Sequence, residues 1–99
     1  MAIKILIAED EKNLRKVLVM ELSTEGYDVV GADDGKKALE ILQKDDCDVV
    51  LLDLNMPVLG GIEVLKKMRA LEIQTEVIIL TGNMDITTAV EAMKLGASA

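Results

Sequence analysis

Along this chain apolar residues arrive in two alternating rhythms: short unbroken runs, and stretches in which they recur every three or four positions. The runs suit strands of a parallel sheet covered on both faces, which are apolar at nearly every position. Ile3 to Ala8 is the first. From about Asn13 to Glu25, Leu14, Val17, Leu18 and Leu22 repeat at helical spacing, and Gly26 stands where a left-handed residue would end the helix. Tyr27 to Ala32 predicts a weaker second strand, placed at an edge by its polar Asp28 and short length. A helix begins near Gly35 with the stripe Ala38, Leu39 and Leu42. After the polar turn Lys44-Asp45-Asp46, a third strand runs from about Asp48 to Asp53. The loop Leu54 to Gly61 carries the only proline and leads into a helix with the stripe Ile62, Leu65 and Met68. Glu76 to Thr81 predicts a fourth strand, and Ile86, Ala89, Val90 and Met93 the inner face of a fourth helix ending at Gly96.

This is a strand–helix unit repeated four times, without linker or low-complexity segment. Right-handed crossovers fold such units into a doubly wound α/β sheet, here of expected order 2-1-3-4. Ligands bind such sheets at the carboxyl ends of the strands, where the strand order reverses. Three of the runs end on reactive side chains there: the first on Glu9-Asp10, the third on Asp53, the fourth on Thr81.

Composition narrows the picture. Ninety-nine residues with 51% hydrophobic content make one domain, residues 1–99, with a single core. Tyr27 is the only aromatic ring, which argues against base-stacking nucleic-acid modules. A net charge of −7 with scattered basic residues disfavours direct contact with nucleic acid or an anionic membrane. One cysteine, Cys47, and no histidine exclude an internal disulfide, a histidine triad and a His/Cys zinc site. Cys47 reads as a small packed residue. No signal-peptide pattern opens the sequence and no apolar run approaches the ~20 residues of a membrane span, so a cytoplasmic setting is expected.

Glu9, Asp10 and Asp53 would converge on one edge. Carboxylates packed together repel unless a cation compensates, and Mg²⁺ suits because it takes one or two carboxylates and completes its shell with water, phosphate or carbonyl oxygens. Asp53, fixed by four preceding apolar residues and followed by a turn, is the candidate nucleophile toward phosphorus, giving an aspartyl phosphate. The Asn55 backbone carbonyl would add a metal ligand. Thr81 would donate its hydroxyl to a phosphate oxygen and report phosphorylation by moving. Met56-Pro57 would shape the loop and cover the site, and Gly60 and Gly61 would serve turn geometry.

Glu9-Asp10, Asp53-Leu54-Asn55-Met56-Pro57 with Gly60-Gly61, Leu80-Thr81-Gly82 and Ala92-Met93-Lys94-Leu95-Gly96-Ala97, in that order, resemble the receiver domain of bacterial two-component response regulators. The resemblance runs over the whole chain. It implies a flavodoxin-like fold, a histidine kinase as phosphodonor to Asp53, Mg²⁺ held by Glu9, Asp10, Asp53 and the Asn55 carbonyl, Thr81 as switch hydroxyl, and an output domain or downstream protein as partner. It implies a regulatory phosphoacceptor that assists its own phosphoryl transfer, rather than an enzyme.

Receivers normally continue into a fifth strand, a lysine that contacts the phosphate, and a fifth helix. This sequence stops at Gly96-Ala97-Ser98-Ala99. The expectation is therefore a cut fragment lacking that last unit and lysine, with impaired phosphorylation. The fourth strand, Val77 to Leu80, would be an unpaired apolar edge through which copies associate, and the sheet face beside the first helix would lose cover. An aspartyl-phosphate phosphatase is the rival enzyme reading. Such enzymes place a second aspartate two residues after the first, where Asn55 stands here.

Overall fold

The computed structural model describes residues 2–80 and 86–98, with the backbone alone for 86–89. Four strands alternate with four helices: β1 (Lys4–Ala8), α1 (Lys12–Thr24), β2 (Asp28–Ala32), α2 (Gly35–Lys44), β3 (Val49–Leu52), α3 (Gly61–Ala70), β4 (Glu76–Ile79) and α4 (Ile86–Lys94). The sheet is parallel throughout, in the order β2-β1-β3-β4 expected from the pattern. Its register is flush at the carboxyl edge, where Ala8 lies beside both Ala32 and Leu52, and Leu52 beside Ile79.

The two faces are covered unequally. Leu6, Ala8, Val50, Leu52 and Val77 are buried in one core with Ala38 and Leu42 of α2, Val64, Leu65 and Met68 of α3, and Ala92 of α4. The alternate positions of the same strands meet the opposite face, which among the described helices α1 covers. Ile5 and Ile7 of β1 are buried there, whereas Val49, Leu51 and Ile78 stay half-buried. No residue of α1 is buried, and Leu14 and Val17 of its expected inner stripe are 44% and 50% exposed. The helix lies over β1 and β2, so the stripe is only partly used and the face beside it is thinly covered, as expected.

The fourth strand corrects the sequence reading. Its outer edge was expected to be unpaired, yet Ser98 donates its N–H to the Val77 carbonyl at 2.9 Å and accepts from the Ile79 N–H at 2.8 Å. The cause is local. Gly96, at φ 94°, turns the chain back from α4 while its N–H bonds the Met93 carbonyl and the Ala97 N–H bonds that of Ala92. This is the two-bond closure of a helix by a left-handed residue. Ala97 is then buried and Ser98 comes alongside β4. Gly26, at φ 96°, ends α1 in the same way, with bonds from Gly26 to Ser23 and from Tyr27 to Leu22.

Candidate functional site

Backbone pairing carries the site residues to one place. β1 ends at Ala8, and the next N–H, that of Glu9, bonds the Ala32 carbonyl at 3.0 Å. The Asp53 N–H bonds the Ala8 carbonyl at 2.9 Å, which sets Asp53 beside the Glu9 backbone just past the strand end. One carboxylate oxygen from each of Glu9, Asp10 and Asp53 lies within 4.8 Å of the others. Glu9 and Asp53 are 5% and 8% exposed, while Asp10 faces solvent. The three acidic residues singled out in the sequence therefore do converge.

Local hydrogen bonds fix their orientation. Asp53 Oδ1 accepts the Asn55 N–H at 3.0 Å, the contact by which Asn55 enters the site. Glu9 Oε2 accepts the Glu11 N–H at 3.1 Å, and Glu11 in turn caps α1 by accepting from the N–H groups of Asn13 and Leu14. Burial raises the Glu9 pKa from 4.5 to about 7, with Asp53 and Asp10 adding to the rise and the Glu11 N–H opposing it. A buried acid whose neighbours are acids is a site short of positive charge.

The donors present are carboxylates, which are hard oxygen ligands suited to Mg²⁺ rather than to a thiophilic metal. The residues fit the cation the sequence implied. Gly61 allows the loop to close against the site: a side-chain Cβ there would stand 2.6 Å from the Asp53 carbonyl oxygen and 2.7 Å from Leu54 Cα. Gly60 and Gly61 were expected to serve turn geometry. Instead neither has a positive φ among the described residues, and Gly61 is required for space. Met56 is buried in the hydrophobic core, while Pro57 is exposed. Thr81 lies outside the described residues, which reach Leu80, whose N–H bonds the Leu52 carbonyl at 3.0 Å.

Sequence reasoning missed Arg15, whose guanidinium Nη1 donates to the Glu9 carbonyl at 2.8 Å. Cys47 is buried, with its thiol pKa raised chiefly by burial, and its carbonyl accepts the buried Thr75 hydroxyl at 2.9 Å. A cavity of about 470 Å³ opens at the opposite edge of the sheet, between the segments 45–48 and 71–75, away from the acidic cluster.

The chain matches the response regulator receiver domain family over residues 5–99 and belongs to it. It is 40% identical over 94 residues to regulatory protein AtoC of Escherichia coli, a match covering 95% of this chain and 20% of AtoC. It is 38% identical to sporulation initiation phosphotransferase F of Bacillus subtilis, covering 95% of this chain and 76% of that protein. Among solved structures, the Francisella response regulator 1452 receiver domain superimposes with a TM-score of 0.88 at 35% identity, over 95% of this chain and 78% of that one. Vibrio cholerae chemotaxis protein CheY4 does so with a TM-score of 0.91 at 32% identity, over 99% and 83%.

The fold is thus the flavodoxin-like one of that family. Receiver domains of response regulators are regulatory modules of two-component systems. Histidine kinases phosphorylate them, they are linked to output domains, and an acidic pocket typically binds Mg²⁺. The chain spans a fifth of AtoC and about two fifths of the transcriptional regulator ycf27 of Porphyridium aerugineum, to which it is 39% identical. No helix among the described residues is long and apolar enough to cross a membrane.

Proposed function

We propose that this domain accepts a phosphoryl group on Asp53 from a phosphohistidine of a partner kinase, in a reaction requiring Mg²⁺, and passes the change to an output domain or downstream protein in the cytoplasm. One observation carries the reading: Glu9, Asp10 and Asp53 offer carboxylate oxygens within 4.8 Å of one another at the carboxyl edge of the sheet. An Asp53 carboxylate oxygen attacks phosphorus, the phosphorus–nitrogen bond breaks, and the imidazole leaves with its electron pair. Asn55 steadies the attacking carboxylate through its N–H bond to Oδ1. Glu9, Asp10, Asp53 and the Asn55 carbonyl would hold Mg²⁺, which when bound neutralises charge on the transferring phosphoryl oxygens. Thr81 is the proposed switch hydroxyl.

Intact mass after incubation with a small phosphodonor tests this directly. The expected result is a phosphate adduct that needs Mg²⁺ and is lost in Asp53→Asn; an adduct that survives in Asp53→Asn would sink the assignment. Association of copies through the β4 edge is a separate reading. Ser98 weighs against it by taking ladder groups of Val77 and Ile79 that a second copy would need. A concentration-independent monomer mass in solution would dismiss it.

A further inference from the structure

Arg15 meets the acidic loop through main-chain oxygens, although, after the Leu14 and Asn13 N–H groups, its charge also helps to lower the Glu11 carboxyl pKa four residues before it. It is half-buried on the first turns of α1, and its guanidinium reaches back over the loop between β1 and α1. Nη1 donates to the Glu9 carbonyl at 2.8 Å and more weakly to the Asp10 carbonyl at 3.4 Å. A cation set among acids would be expected to pair with a carboxylate. Here it binds main-chain oxygens of two acidic residues, and no ion pair between Arg15 and a carboxylate occurs among the described residues.

The path of the stem is equally specific. Gly31 of β2 lies beneath it, so that a Cβ there would stand 3.2 Å from Arg15 Cδ and 3.3 Å from Cγ. Gly31 pairs in register with Ile7, just before the strand end that carries Glu9. Glycine in a strand interior weakens the strand, and its use where another chain segment approaches closely is the usual compensation.

We infer that Arg15 is a positioning residue for the cation site: it clamps the main chain of Glu9 and Asp10, occupies neither carboxylate, and passes through a slot that Gly31 keeps open. The inference rests on the Mg²⁺ site of the proposed function. Second-layer contacts that orient metal ligands typically carry about 10- to 100-fold in affinity. Charge alone makes the opposite prediction, because removing a cation beside three acids tightens Mg²⁺ binding.

Calorimetric titration of Mg²⁺ into the whole chain separates the two. Arg15→Met, which keeps the stem and removes the donors, is expected to weaken Mg²⁺ binding about tenfold, with Arg15→Lys recovering part of the loss. Gly31→Ala is expected to weaken binding several-fold beside Arg15 but to have no further effect on Arg15→Ala. Unchanged or tighter binding by Arg15→Met overturns the clamp, as does a Gly31→Ala effect of equal size in both backgrounds. Melting of each apo variant accompanies the titration; if Arg15→Met does not fold, the Gly31→Ala comparison decides. Absence of Mg²⁺ binding by the unaltered chain refutes the metal-site reading itself, an outcome distinct from failure of the clamp.

Discussion

Val58 and Gly61 share the loop after β3 and carry opposite constraints. Val58 has φ 68° and is 76% exposed, and the Leu59 N–H bonds the Pro57 carbonyl across it at 2.7 Å. A β-branched residue in left-handed space is strained, and exposure gives it little packing in return. Val58→Gly is expected to stabilise the fold by about 1 kcal/mol, since relief of strain exceeds the extra freedom glycine gives the unfolded chain. Urea denaturation reads this, and a lower midpoint would show that the valine side chain makes a contact worth more than its strain. Gly61→Ala should act in reverse. Its methyl meets the Asp53 carbonyl oxygen and Leu54 Cα, both backbone atoms, and overpacking of that kind costs about 1–3 kcal/mol. Because the displaced backbone is that of Asp53, Mg²⁺ affinity should fall as well, which a stability loss elsewhere in α3 would not cause.

Helix ends show what the sequence disclosed and what it hid. Gly26 and Gly96 announced two left-handed terminations, and both occur. α3 ends by the same bonding, with Glu72 N–H to the Arg69 carbonyl at 3.2 Å and Ile73 N–H to that of Met68 at 2.9 Å, but the left-handed residue is Glu72, at φ 58°. Nothing in its residue type marks that role. Glu72→Gly should therefore raise stability by about 1 kcal/mol, or about 4–8 °C in Tm for a domain of this size, whereas Gly26→Ala should lower it. Equal effects at both sites would contradict the shared geometry. The order of elements was legible for a related reason: unbroken apolar runs and helical stripes follow from burial, and burial dominates the sheet. The acidic site was legible because each contributing run stops on its functional residue. Arg15 was not, because its partners are main-chain carbonyls and a glycine in the next strand, which leave no spacing to read. The free edge expected for β4 failed because one residue, Ser98, pairs there once Gly96 has reversed the chain.

At the scale of the whole molecule, Glu9 ties the site to folding. Its carboxyl is held at about 7 rather than 4.5, mainly by burial. Between those values the native state therefore keeps a proton that the unfolded chain has released. The stabilisation from this group is complete below the unfolded value and is lost as pH rises through about 7, because the unfolded chain then binds fewer protons than the native one. A cation requires the ionised carboxylate, so its contribution has the opposite slope. In a chelator, Tm should fall between about pH 5 and pH 8 less steeply in Glu9→Gln than in the unaltered chain. With Mg²⁺ at about ten times its Kd near pH 8, mass action adds about 1.4 kcal/mol, and the same Mg²⁺ near pH 5 should add much less. Thermal melting at both pH values, with and without Mg²⁺, reads all of these together. A Mg²⁺ gain of equal size at both would mean that the ion binds elsewhere. A gain near pH 8 that disappears in Glu9→Gln would place the ion against the buried acid, so that the charge deficit weakening the apo fold is the same one that recruits the metal.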